Sequence, residues 1–352
     1  MMKKLLLVVG AAMILKSATA QDIHFTQYFT SPLTLNPAMT GLIPEDLRLA
    51  GNYRTQWSSV VAAHPYTTAT FSFDCAMFKN RLPDGDALGV GVFGESDKAG
   101  SGGLSNTTAG LSLAYHKGFG RDRQSHLSIG MQGVFVQKSV DLAKLTFEDQ
   151  YDLHTALLVS PTSAYIGNYT SALAYPDFNG GVMYSGKVTD HTTAYIGYSY
   201  YHLTQPVESF GTHADATSKI HNRQTLYLGG SYELNDKVIL YASSLYQSQA
   251  DAREVLLGAA AGFVMNTGHD MEFQKNTIFY IGGWYRYLDA VCPYVGLEWS
   301  HMRLGISYDI TVSNFSPATG GAGGYELSLL FFGKVNKHER NPTYDWSCPK
   351  VF

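Results

Sequence analysis

After its first twenty residues the chain holds no run of the roughly 18 consecutive apolar residues that a membrane-spanning helix requires. The longest approach, Val255 to Met265, is too short, which excludes a helical membrane protein. Cysteine is scarce: Cys75, Cys292 and Cys348 are too few for a disulfide scaffold, although an oxidising compartment would permit one bond. No basic block is present, which removes nucleic acid from the expected partners. Charged residues make up only 15% of the chain, a poor supply for amphipathic helices.

What is present begins with Lys3 and Lys4, an apolar run from Leu5 to Leu15, and the small-x-small ending Ala18-Thr19-Ala20. Residues 1–20 read as a secretory signal peptide, with the mature chain expected to start at Gln21. No cysteine follows the cut, which speaks against an acyl anchor there. Removal takes Lys3, Lys4 and Lys16 with it and leaves 22 basic against 29 acidic residues, a net charge of about -7.

The remaining composition, with 24 Tyr, 18 Phe and 35 Gly, suits β-strands with small residues at crowded positions. In the window 303–312, Leu304, Ile306, Tyr308, Ile310 and Val312 share one face, and Arg303, Gly305, Ser307, Asp309 and Thr311 share the other. The same period of two runs through Leu127, Ile129, Met131, Gly133 and Phe135, and through Thr67, Ala69, Phe71 and Phe73. About fourteen such windows fall between residues 47 and 333, among them 66–75, 87–96, 178–187, 192–203 and 302–312. They leave no room for a second domain.

Every second connection is short, as at 118–124, 188–191, 235–237 and 301–302, while segments near 141–177, 204–223 and 313–323 are long. Short turns on one side, long loops on the other and an even number of strands predict an antiparallel transmembrane β-barrel of the outer-membrane type. Lipid imposes the same form, because only a helix or a closed sheet pairs every backbone polar group internally. The alternative is a water-soluble propeller or sandwich. Tyr200, Tyr201, Tyr285 and Tyr287, at strand ends, are expected in interfacial girdles that favour the barrel.

Several motifs carry no chemistry in this setting. Gly89-Val90-Gly91-Val92-Phe93-Gly94 spells the glycine fingerprint of dinucleotide-binding folds, but residues 95–103 read as a loop where that fold needs a helix. The histidines show no metal-ligand spacing, and no nucleophile elbow occurs. No cofactor, metal or catalytic residue is expected, and the chain is expected not to be an enzyme.

The segment Gln21 to Gly41 differs from all that follows, because Pro32 and Pro37 exclude it from a central strand. Phe25, Tyr28 and Phe29 have i, i+3, i+4 spacing, a short helical face that Asp22 is placed to cap. Leu33, Leu35 and Met39 read as an extended continuation. A fourteen-strand barrel leaves a lumen for something to fill. Residues 21–46 are therefore expected in or across the periplasmic mouth as a plug or docking segment, carried by Phe25, Tyr28, Phe29, Leu33, Leu35, Asn36 and Pro37. A disordered leader is the alternative. The barrel then spans 47–333 and a tail 334–352, in which Trp346 and Phe352 are candidate anchors to a partner. With both termini expected in the periplasm, Cys75 and Cys348 fall on the same side, so a Cys75–Cys348 bond fits this topology, while Cys292 falls on the opposite rim.

Taken in order, several stretches resemble the type IX secretion system membrane proteins of the PorP/SprF type. They are Gln21-Asp22-Ile23-His24-Phe25-Thr26-Gln27-Tyr28, Pro32-Leu33-Thr34-Leu35-Asn36-Pro37-Ala38, Gly51-Asn52-Tyr53-Arg54-Thr55-Gln56-Trp57 and Asp97-Lys98-Ala99-Gly100. Further on come Tyr201-His202-Leu203-Thr204-Gln205-Pro206, Gly283-Trp284-Tyr285-Arg286-Tyr287-Leu288-Asp289-Ala290, Gly305-Ile306-Ser307-Tyr308-Asp309 and Gly324-Tyr325-Glu326-Leu327-Ser328-Leu329. Cys348-Pro349-Lys350-Val351-Phe352 resembles the family ending, with Val351 as an insertion. The resemblance implies an outer-membrane barrel of the secretion and gliding machinery of a Bacteroidota cell. It implies as partners outer-membrane lipid, periplasmic ring components or a peptidoglycan-binding lipoprotein, or a secreted adhesin with a C-terminal sorting signal. The alternative function is a passive or substrate-specific channel, whose sign would be charged rings facing the lumen.

Overall fold

The computed structural model describes residues 22–334, apart from 59, 62–63, 79–80, 84, 101, 121–123, 153–156, 213–217, 266–276 and 315. Fourteen antiparallel strands close into one barrel. They are β1 (Leu47–Gln56), β2 (Tyr66–Met77), β3 (Ala87–Ala99), β4 (Leu104–Phe119), β5 (Ser125–Ser139), β6 (Ala172–Thr189), β7 (Thr192–Tyr201), β8 (Arg223–Asn235), β9 (Val238–Gln249), β10 (Ala252–Val264), β11 (Ile278–Arg286), β12 (Ala290–Trp299), β13 (Met302–Thr311) and β14 (Ala322–Gly333). Each pairs with its neighbours in sequence, and β14 returns to β1 from Leu47↔Gly333 to Gln56↔Gly324. Closure gives every strand a neighbour on both sides, with β6 residues 172–179 extending beyond β7.

The alternation read from the sequence is that of a water-soluble sheet turned inside out. On β13, Leu304, Ile306, Tyr308 and Ile310 point outward and are exposed, while Arg303, Ser307, Asp309 and Thr311 point inward and are buried. Phe71, Leu111, Ile129, Met131 and Phe135 are likewise exposed on the outer wall. Such a surface is stable only where hydrocarbon, not water, surrounds it.

β1 begins and β14 ends at one mouth, which leads through Lys334 toward the C-terminus; the opposite mouth carries the long loops 140–171, 202–222 and 312–321. The expected alternation of loop lengths holds there but is not strict. Turns 250–251 and 287–289 are short at the loop mouth, and 78–86 and 265–277 are long at the other. Two strands outrun their expected bounds by three residues or more. β6 starts at Ala172 because 172–179 pair with β5 alone, β7 joining only at Gly180↔Tyr200. Pro176 is tolerated in that one-sided stretch, where its missing N–H has no ladder partner to serve. β3 continues through Glu95–Ala99, expected as a loop, by pairing with Thr67–Thr70 on one side and Leu104–Thr108 on the other.

The outer wall generates a direct test. Ile306→Arg places a cation against lipid near mid-strand and should destabilise the barrel by about 2–4 kcal/mol, read from urea unfolding in lipid vesicles, whereas Tyr325→Phe at a strand end should leave the midpoint nearly unchanged.

Candidate functional site

The lumen is occupied by the chain itself. Residues 22–46 run through it as a strap, from the mouth where β1 begins up to the loop mouth, where Asp22 meets the ends of β7, β8 and β9. The expectation that both ends of the chain share one mouth is therefore corrected: Asp22 lies at the loop mouth, while Lys334, ion-paired to Glu45, lies at the other. A segment entering at β1 and filling the bore has only the far mouth in which to finish.

Locally the strap follows its prolines. Tyr28–Thr30 is a 3-10 turn, Pro32–Leu35 a single α-turn and Pro37–Met39 a second 3-10 turn. Leu33 and Leu35 are thus in a helical turn, not the extended run expected, because Pro32 stands at its first position with φ already suited to a helix. Asn36, before Pro37, is the extended residue. Asp22 caps no helix; its carboxylate is used at the rim.

Three groups of contacts hold the strap. At the mouth where β1 begins, Asp74 accepts from the Gly41 amide at 2.7 Å and pairs with Arg48 at 2.8 Å, and Arg48 also donates to the Met39 carbonyl. His116 Nε2 lies 2.8 Å from the Thr40 carbonyl. Midway, Asn36 donates to the Val182 carbonyl and the Tyr227 hydroxyl, and its Oδ1 accepts from the Ala38 amide. Phe29 packs on Trp284 at 5.1 Å and Tyr294 at 5.9 Å between ring centres. Leu33 joins Phe93, Val134, Val136 and Tyr175.

Toward the loop mouth the contacts become ionic. The amides of Thr26 and Gln27 donate to the two oxygens of Glu326 at 2.8 and 2.9 Å. Arg54 bridges Glu326 and Asp309, and Arg286 bridges Asp309 and Glu254. Arg54 also donates to the His24 carbonyl. Gln27 spans Ser307 and Ser328. Buried charges persist only when paired and hydrogen-bonded, and here the strap supplies part of the pairing.

At the rim, Asp22 accepts from His202 Nε2 at 2.7 Å and lies 3.2 Å from Arg223, while Asp177 holds His202 Nδ1 at 2.5 Å. Burial opposes a charge on His202, but the carboxylates of Asp22 and Asp177 outweigh it and push the imidazole up to about 9. Burial would raise the Asp22 carboxyl, yet His202 and Arg223 outweigh it and hold the group well below the usual carboxylate range. The Arg223 guanidinium also lies 3.9 Å over the Tyr201 ring. Tyr201 consequently faces the lumen and is no part of an interfacial girdle, whereas Tyr285 and Tyr287 are exposed on the outer side.

Wall glycines set how close the strap comes. A Cβ on Gly89 would sit 1.8 Å from the Thr40 carbonyl oxygen, and one on Gly181 1.9 Å from Asn36 Oδ1. The glycine run of β3 thus gives room to a neighbouring backbone. Of the residues expected to carry the segment, Phe25, Tyr28, Phe29, Leu33, Leu35, Asn36 and Pro37 are all buried in the lumen. Trp346, Cys348 and Phe352 lie outside the described residues, as do the signal segment 1–20 and the proposed partner atom of Cys75. Cys292, buried on β12, lies in the half of the barrel nearer the loop mouth, 3.8 Å from Thr26 Oγ1. The charged lumen residues Arg54, Arg286, Asp309, Glu326 and His202 were not singled out from the sequence. Their signal was present: each falls at an inward position or strand end inside a stretch quoted for the family resemblance.

A cavity of about 700 Å³ remains beside the strap at the loop mouth, between β3–β6 and the loop 202–222.

A model of the family described as type IX secretion system membrane protein PorP/SprF matches residues 17–331. No curated protein matches the chain. Among solved structures, the toluene transporter TbuX of Ralstonia pickettii has a TM-score of 0.50 at 12% identity, over 87% of this chain and 94% of that one. The toluene transporter TodX of Pseudomonas putida has a TM-score of 0.48 at 10% identity, over 90% and 98% of the two chains. At such identity the TbuX likeness speaks for the fold alone.

Two outcomes follow from the strap's anchorage. Gly89→Val should lower stability by about 3 kcal/mol through overpacking, seen as an earlier thermal transition in detergent together with faster proteolysis within 22–46. For His202→Gln, the folded imidazole is raised from 6.5 to about 9, so the stability lost relative to the wild type should be full below about pH 6.5 and vanish as pH rises through about 9. Urea midpoints measured between pH 5 and 10 check this.

Proposed function

Because the chain belongs to the type IX secretion system membrane protein PorP/SprF family, we propose that this outer-membrane barrel is a non-catalytic anchoring platform of the secretion and gliding machinery, closed by its own N-terminal strap. The observation that carries this reading is the passage of residues 22–46 along the bore, where Tyr28, Phe29, Leu33 and Asn36 are buried against the wall. A bore so filled suits a scaffold better than a passive channel. The lumen does carry the charges that a channel reading calls for, but Arg54, Arg286, Asp309 and Glu326 are engaged with one another and with the strap.

In this reading the mouth where β1 begins faces the periplasm and the long loops face outward. Tail 334–352, leaving from the periplasmic mouth, meets ring components or a peptidoglycan-binding lipoprotein, and the long loops receive an exported adhesin. In this reading residues 1–20 direct export and are removed from the mature chain.

Deleting residues 22–41 separates the two roles of the strap. If it plugs the barrel, planar-bilayer conductance should rise at least about tenfold, since a bore of this strand number is wide enough for water once emptied. If it is chiefly a docking surface, co-purification of periplasmic partners from cross-linked membranes should be lost with conductance unchanged. A deletion that changes neither overturns the reading.

A further inference from the structure

The connection from β5 to β6 carries apolar side chains that neither the wall nor lipid covers. Beneath it, the outward residues of β3, β4 and β5 turn polar in two successive rows of the ladder, first Ser96, Thr107 and Gln137, then Lys98, Ser105 and Ser139. The apolar belt therefore ends below the loop 140–171, which stands in water. Within that loop Tyr151 and Leu158 face one another in a small antiparallel bridge. The Asp152 amide donates to the Leu157 carbonyl and the Val159 amide to the Gln150 carbonyl, both at 2.9 Å. Leu157, Leu158 and Val159 are 64%, 54% and 63% exposed. Three consecutive apolar residues held in water on one short strand form a surface that calls for a cover.

The backbone and the charge beside it say what kind of cover fits. In this bridge pattern the two facing residues direct their own N–H and C=O groups away from the partner strand, and Leu158 makes no hydrogen bond with either group among the described residues. A free strand edge is completed by another extended backbone. The neighbouring charge is of one sign. Among the described residues of the loop, Asp141, Glu148, Asp149 and Asp152 stand against Lys144 alone, which is paired with Asp141 at 3.1 Å. Asp149 receives the Ala164 amide at 2.7 Å, and neither it nor Glu148 has a basic partner among the described residues. We propose that the hairpin around Tyr151 and Leu158 is a docking edge for an extended polypeptide segment, apolar at its centre and carrying lysine or arginine at its ends. That this segment belongs to an exported protein rests on the outward-facing loops proposed above; the edge itself does not.

The test uses the full chain in lipid nanodiscs and fluorescence anisotropy with three labelled peptides, Lys-Val-Ile-Val-Lys, Glu-Val-Ile-Val-Glu and Lys-Val-Pro-Val-Lys. The first should bind saturably. The glutamate peptide should bind at least about tenfold more weakly through its charge, and the proline peptide likewise, because its ring removes the central N–H. Leu157→Ser combined with Val159→Ser should weaken the first peptide at least about tenfold, and Glu148→Gln combined with Asp149→Asn about threefold or more. All four side chains substituted lie in the exposed loop, and retention of the heat-modifiable gel shift shows that each variant is folded. Absence of saturable binding, equal affinity for either control peptide, or unchanged affinity in either folded variant overturns the proposal. So does a doubled mass in detergent that the Leu157/Val159 variant reverses, since a second copy of the chain is then the occupant. Peptide bound to nanodiscs but not to intact cells supports the edge while overturning the outward orientation of the loops, which tells the two failures apart.

Discussion

The carboxylate of Glu326, receiving the amides of Thr26 and Gln27 and paired with Arg54, is the interaction on which the interior depends. Isolated in a lumen walled off from water, such a carboxylate would be very costly. Joined to Arg54, Asp309, Arg286 and Glu254 it becomes part of an alternating array of charges, in which the strap provides the remaining donors. The dependence is mutual. Residues 26 and 27 have no helix or sheet of their own to take their backbone N–H groups, and the wall takes them instead.

The same reciprocity explains the shape of the strap. Its turns are short because Pro32 and Pro37 interrupt them, and each short turn exposes backbone groups that a longer helix would have used internally. The Leu33 carbonyl therefore accepts from Gln132, the Leu35 carbonyl from Ser199, and the Thr34 carbonyl from Arg223. Wall glycines permit the closest approaches, so what looks like a nucleotide fingerprint on β3 serves to bring two backbones together. Four of the quoted family stretches meet on this one surface: Arg54, Trp284, Arg286, Asp309 and Glu326 all touch the strap or the groups that hold it.

Most of the wall was legible in the residues. Strict alternation in 303–312 and its counterparts gives strand, face and approximate count, because a period of two has no other stable reading in so long a series. Which face is buried was not legible, since alternation is symmetrical between a soluble sheet and a lipid-facing one; the short turns, even count and missing helices decided for lipid. The bounds of β3 and β6 were missed where polar or proline-containing residues continue a strand on the strength of neighbours far away in sequence. The apolar residues Phe25, Tyr28, Phe29, Leu33 and Leu35 were legible as a packing surface, but their destination was expected at one mouth, not along the full bore.

Composition and period by themselves determined that this chain closes into a β-barrel with an unlike N-terminal segment, because these properties belong to residues a few positions apart and to the solvent they require. Tertiary structure alone decided that Asp22 crosses to the loop mouth to meet His202 and Arg223, separated from it by about half the chain. It alone decided that Arg54, Arg286, Asp309 and Glu326 share one buried array, and that a cavity remains beside the strap at the loop mouth. Ion pairs and cavities are set by which strands come to face one another around the ring, and that arrangement exists only once the barrel has closed.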